Sequence, residues 1–230
     1  MFKLMLSDVN SWKALENTKL YQLNSEHHYK YINQKFNLWQ KADVFKKAYI
    51  NLLRCNYFKL SNIRKTKSLT LFIDATYIIN KYGSESITTH PEYRKKKVTK
   101  LSAITDKEKN VLAIVPVPTQ ISKSGKTKSF PHDVMSVQNT LDNMCIDIPK
   151  YVNIKNAGDK GYMTQKKFKL QGKNISIITP KRKNQKSKNN KLETKILHKR
   201  YRAENSLCDI KKNNRVMVRK DKKINTFMGF

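Results

Sequence analysis

Acidic residues are scarce in this chain: 17 Asp and Glu stand against 48 Lys and Arg in 230 residues, a formal net charge of +31. That imbalance argues against a polycationic partner and for a polyanionic one. Arginine and alanine are scarce too, eight of each beside 40 Lys, 22 Asn and 19 Ile, the usage expected of an AT-rich genome. Part of the lysine excess therefore reflects codon usage, and charge alone decides little. Cysteine occurs three times, at Cys55, Cys145 and Cys208, an odd count without metal-ligand spacing. A zinc ribbon and a disulfide framework are excluded, and free thiols in a reducing compartment are expected. No apolar run approaches the roughly 18 residues of a membrane span, and the opening "MFKLML" is too short for a signal sequence. A soluble, intracellular protein is the expectation. The segment "SGKTKS" (124–129) resembles the end of a phosphate-binding loop, but Gln120 stands where its first glycine belongs, which excludes that motif.

What is present is unevenly spread. Residues 160–223 hold 22 basic and four acidic residues, so this stretch carries a net +18 of the total. "PKRKNQKSKNNK" (180–191) has no apolar member and reads as an exposed loop. Along the chain, residues 1–67 read as a helical segment, with Tyr31, Ile32, Phe36, Trp39, Phe45, Tyr49, Leu52 and Leu53 at helix-like spacing. From residue 68 the pattern turns to strands: 69–74, then "KKVTKLSAIT" and "NVLAIVPV" joined by the turn-like "DKEKN", an antiparallel meander. A helix beginning near His132, a strand "YVNIKNA", a helix after Gly161, a strand "NISIIT" and one long helix from about Leu192 to Arg215 follow. This order predicts an α/β domain over 68–230 with a mixed sheet flanked by helices.

Three acids stand out against that pattern. Asp74 interrupts "TLFIDATYI", where a core strand should bury only hydrocarbon, and an unpaired carboxylate there costs several kcal/mol. A cation must meet it. Asp159 in "KNAGDKGYM" follows a strand and lies between Gly158 and Gly161, which permit a tight turn and close backbone approach. That is the strand edge where α/β folds place their chemistry, although helix capping is an alternative role. Glu204 lies on a helical stripe with Arg200, Cys208 and Lys211, beside the apolar positions Leu197, Ala203 and Leu207.

"LFIDAT", "NAGDKGY" and the R-x3-E-x6-K pattern of Arg200, Glu204 and Lys211 resemble, in this order, the DDE transposases of bacterial insertion sequences, members of the ribonuclease-H-like superfamily. "FNLWQKADVFKKAYINLL", "KKKVTKLSAITD" and "FPHD" extend the resemblance to about residues 24–228. Only 44 residues lie between Asp159 and Glu204, as in the branch without a large inserted domain.

The resemblance implies a ribonuclease-H-like mixed five-stranded sheet, with residues 1–67 as a shortened DNA-binding module. It implies that Asp74, Asp159 and Glu204 hold two Mg2+ ions, with Mn2+ able to substitute, and that the enzyme cuts transposon ends and joins their 3′-hydroxyls to target DNA. Double-stranded DNA is the implied partner, with a homodimer assembled on it. Arg200, Lys211, Lys160, Lys181, Arg182 and Lys183 would contact DNA phosphates, and His132, Asp133 and Tyr201 would lie beside the site. The expected location is inside the cell on DNA, in a bacterial cytoplasm or nucleoid, with a viral or eukaryotic nuclear setting left open. One departure is Leu197, which stands where the family has Tyr, and Tyr201 one turn on is the substitute. Two alternatives stay open: a non-catalytic DNA-binding remnant, and a metal-dependent nuclease on the same fold.

Overall fold

A computed structural model describes residues 12–18, 28–60, 67–121, 128–182, 187–212 and 214–228. The 13-residue strand β1 (Ser68–Asn80) is the axis of the sheet. Its β-branched and aromatic residues suit a pleated, buried surface. The short β2 (Thr88–Thr89) and the long β3 (Lys97–Asp106) follow, and β3 runs antiparallel to β1 from Leu71↔Asp106 to Ile79↔Val98. β4 (Val111–Pro116) pairs antiparallel with β3. Their turn is fixed by Asp106, whose carboxylate accepts the backbone N–H groups of Glu108 (2.8 Å) and Asn110 (2.9 Å).

Beyond a small ribbon of β5 (Gln120–Ile121) and β6 (Lys128–Ser129), the chain returns through β7 (Asn153–Ala157), parallel to β1 from Ser68↔Asn153 to Phe72↔Ala157. A hairpin of β8 (Phe168–Leu170) and β9 (Lys173–Ile175) precedes β10 (Ile177–Ile178), which is parallel to β7. β11 (Val218–Arg219) pairs in parallel with the far end of β1. The expected antiparallel meander followed by parallel strands is present, in the order β4–β3–β1–β7–β10. β2 and β11 bring the sheet to seven strands rather than five.

Helices cover both faces. α1 (Tyr29–Lys41) and α2 (Val44–Leu60) form the N-terminal segment. Phe36 of α1 is buried between the rings of Trp12 and Phe45, at centroid distances of 5.3 and 5.2 Å. α2 anchors on the sheet, with Leu53 in the main core and the Tyr49 hydroxyl donating to the Val111 carbonyl at 2.7 Å. Strand alternation then divides β1. Leu69, Leu71 and Ile73 face α3 (Asp133–Asp142), with Val137 and Leu141 in the same core. Phe72 points the other way and packs with Ile196 of α4 (Lys191–His198) and Ala203 of α5 (Tyr201–Lys211). Further along this second face, Ile78 and Leu101 meet Val216 of α6 (Asn214–Met217) and Phe227 of α7 (Ile224–Met228). Burying each such side chain contributes about 1.5–3 kcal/mol.

Two expected elements differ. The long helix over 192–215 is broken at Lys199–Arg200 into α4 and α5, and no Gly or Pro between Leu197 and Arg202 signals the break. After Gly161 there is one 3-10 turn, Lys160–Tyr162, and then the β8–β9 hairpin instead of a helix. Its Gln171–Gly172 tip has φ of 49° and 81°, the left-handed pair that tight hairpins require, and the alternation in "FKLQGKNI" is the signal for it.

Candidate active site

Asp74 lies in the middle of β1, opposite Ala103 of β3, rather than at the end of a short strand. The strand continues because Tyr77, Ile78 and Ile79 carry the β3 pairing five residues further on. β7 stops opposite Phe72, so the flank of β1 opens beside Asp74 and the loop carrying Asp159 begins there. Asp74 shares the parity of Phe72 and so points to the α5 face. One of its oxygens accepts the N–H of Ala75 at 2.9 Å. Its carboxyl is pushed up to about 6, mainly by burial, with Ala75 N–H and the Arg200 guanidinium pulling down and the charges of Asp159 and Glu204 pushing further up. Carboxylates 85 and 130 positions further along the chain thus bear on Asp74.

Asp159 is extended (φ −77°, ψ −174°) and caps the 3-10 turn by accepting the N–H of Gly161 at 2.8 Å. The capping role and the loop position therefore coexist. Both neighbouring glycines are needed for space. A Cβ on Gly161 would stand 2.9 Å from Asp133 Oδ2 and 3.0 Å from Asp159 Oδ1, and one on Gly158 would stand 2.9 Å from the Tyr162 ring. Glu204, in the first turn of α5, is exposed and pairs with Arg200 at 2.6 Å. Lys211 is half-buried; burial holds its ammonium below the ordinary lysine value, while Cys208 and Asp74 pull it back up. Arg200 and Lys211 thus both interact electrostatically with Asp74.

The sequence reading missed the partner of Asp133. Lys100 of β3 is only 5% exposed, and its Nζ lies 2.5 Å from Asp133 Oδ1, donates to the Pro131 carbonyl at 3.3 Å, and sits 5.6 Å over the Tyr77 ring. Nothing in "KKVTKLSAIT" singles this lysine out as the buried one. Tyr162 was missed as well. It is fully buried, and its hydroxyl is pushed above the ordinary tyrosine range by burial and then by Asp133, Asp74 and Asp159, with Ser102 pulling down. Asp133 and Tyr162 therefore tie α3 to the acids.

Other expected residues are placed as follows. His132 is exposed at the start of α3 and makes no side-chain capping bond, so Asp133 is the member of that pair drawn toward the acids. Tyr201 is exposed on the first turn of α5, and Leu197 packs half-buried against the Phe72–Ala157–Ile196–Ala203 cluster. Lys160, Lys181 and Arg182 are exposed, and Lys183 lies outside the described residues. Cys145 and Cys208 are free thiols, the first half-buried and the second exposed. A groove of about 770 Å3 between α1, α2 and β4 holds none of the three acids.

In donor chemistry the acids suit a hard divalent cation: three carboxylates, with the charged form of Asp74 disfavoured chiefly by burial. They are not closed around one point, since Glu204 is turned to Arg200 and no group of three His, Cys, Asp or Glu side chains among the described residues is gathered closely enough to hold a metal. No family model, curated protein or solved structure matches the chain. Among the described residues no helix is long and apolar enough to cross a membrane.

Proposed function

We propose that this chain is a DDE transposase of the bacterial insertion-sequence type, on a ribonuclease-H-like fold, acting on double-stranded DNA inside the cell. The observation that carries the reading is a half-buried Asp74 in the central strand whose carboxyl is pushed up by burial and, to a lesser degree, by the charges of Asp159 and Glu204. The strand order, an antiparallel meander followed by two strands parallel to the first, supports the fold. So do the elements bearing the acids: the central strand, the loop after its parallel neighbour, and a helix on one face.

Asp74, Asp159 and Glu204 would hold two Mg2+ ions, or Mn2+ in their place. Such a pair, when bound, stabilises the charge that develops on attacking and leaving oxygens of a phosphodiester displacement. The protein's own groups have separable tasks. Arg200, now paired with Glu204, can exchange that carboxylate for a DNA phosphate, gripping it through its planar fork and freeing Glu204 for the acid cluster. Lys211 adds positive charge on the same helix. The loop lysines and arginine at 160 and 181–183 take backbone phosphates without reading sequence. Residues 1–67 form the DNA-binding module of this reading, and a homodimer would hold two ends.

Labelled duplexes carrying the DNA that flanks the reading frame on each side, incubated with Mg2+, should yield both cut and joined strands. Asp74→Asn, Asp159→Asn and Glu204→Gln should each abolish cutting by at least about a hundredfold while leaving DNA affinity within a few-fold. Cutting at a near wild-type rate by any of the three removes that residue from the site. Leu197 favours a second reading, a nuclease that hydrolyses without joining, because it buries an aliphatic side chain where the family has a tyrosine. Cut strands without joined product select that reading.

A further inference from the structure

A patch beside the acids combines ring surface, positive charge and backbone strain. Tyr77 of β1 is the hub of a half-buried ring cluster, with His90 at 4.3 Å, Phe130 at 5.9 Å and Tyr93 at 6.0 Å between centroids. Above it the chain turns sharply, with Lys96 N–H donating to the Tyr93 carbonyl at 3.0 Å. The two residues inside that turn, Arg94 and Lys95, have φ of 50° and 57°. Neither is glycine or asparagine, and the left-handed region costs such residues on the order of 1 kcal/mol or more each. The turn carries four consecutive cations, Arg94, Lys95, Lys96 and Lys97, all exposed between β2 and the start of β3. Among the described residues none of the four is in an ion pair.

We propose that this patch binds an unpaired DNA strand, stacking its bases on the Tyr77–His90–Tyr93–Phe130 rings and holding its phosphates on Arg94–Lys97. The proposal rests on the DNA-processing reading above and adds where a frayed strand lies. Stacked bases inside a duplex cannot present their faces to protein rings, whereas unpaired bases can, and basic grooves lined with aromatics take them without sequence preference. The patch is continuous with the acids. Lys100 lies over the Tyr77 ring and pairs with Asp133, and Asp133 and Asp159 approach one another across Gly161. Tyr77 is three residues from Asp74 along β1, about 10 Å, and the route between the two faces passes the flank that β7 leaves open.

The test compares fluorescence anisotropy of a blunt DNA duplex with that of the same duplex bearing a six-nucleotide 3′ tail. The wild type should bind the tailed duplex about tenfold more tightly. Tyr93→Ala should remove that preference, Tyr93→Phe should retain it, and changing Arg94, Lys95, Lys96 and Lys97 together to Gln should weaken both ligands. Photocrosslinking of an iododeoxyuridine-containing tail to the unaltered protein should map to Tyr77, Tyr93 or Phe130, independently of how well any variant folds. Tight binding of the blunt duplex with no preference for the tail, or crosslinks confined to other segments, overturns this inference and leaves the transposase reading standing. Binding to neither duplex overturns both.

Discussion

At the scale of the residue, Asp74 carries the most unusual chemistry, and its titration has a direction that can be measured. Its folded value of about 6 lies above the ordinary 3.8. Between pH 4 and 6 the folded protein therefore keeps a proton that the unfolded chain has released, so this group favours folding as pH falls through that window. Above pH 6 both states are ionised and the penalty is complete, up to about 3 kcal/mol at about 1.4 kcal/mol per pH unit. Asp74→Asn should accordingly raise the melting temperature at pH 7.5, without divalent ions, by about 5 °C or more, and the gain should vanish near pH 4. Calorimetry at the two pH values checks this, and an equal gain at both would mean that the carboxylate is not strained by burial. The three acids were legible because each breaks its local pattern: an acid in a core strand, an acid between glycines, an acid between cations. Lys100 was not, since nothing in "KKVTKLSAIT" tells which of its lysines is buried until α3 brings Asp133 to it.

At the scale of the element, strands were easier to read than helix ends. The meander and β7 were visible from β-branched runs, whereas the break between α4 and α5 depends on packing against Phe72 and Ala157 that no local signal encodes. The C-terminal attachment was invisible for the same reason. Arg219 of β11 is fully buried and donates to the carbonyls of Glu85 (2.7 Å), Lys222 (3.0 Å) and Asp221 (3.1 Å) and to Thr99 Oγ1 (3.1 Å). Its guanidinium also lies 5.9 Å from the Phe227 ring centre. Sequence alone counts it among the exposed basic residues of the C-terminal third. Arg219→Met should cost about 3 kcal/mol or more in urea unfolding, because charge-assisted bonds are lost and buried carbonyls are left without donors. Hydrogen exchange should show residues 214–228 opening first. A variant with wild-type stability would remove Arg219 as the anchor of that segment.

At the scale of the whole molecule, the charge of +31 predicts how affinity responds to salt. Each phosphate neutralised releases counterions, so the logarithm of the DNA association constant should fall linearly with the logarithm of salt concentration. Replacing the exposed Lys181 and Arg182 by Gln should flatten that slope by about 2 if both meet phosphates. An unchanged slope would assign the loop to solubility alone. The order of the chain also has a consequence for synthesis. Asp74 and its strand leave the ribosome 130 residues before Glu204, a delay of roughly 6 to 26 s at 5–20 residues per second. The last partner of the central strand, β11, emerges later still, and with it the buried arginine that clamps the end of β1. A nascent chain therefore carries two of its three acids without the helix that bears Glu204, and on the transposase reading proposed above it would stay chemically silent toward nearby DNA until that helix has emerged.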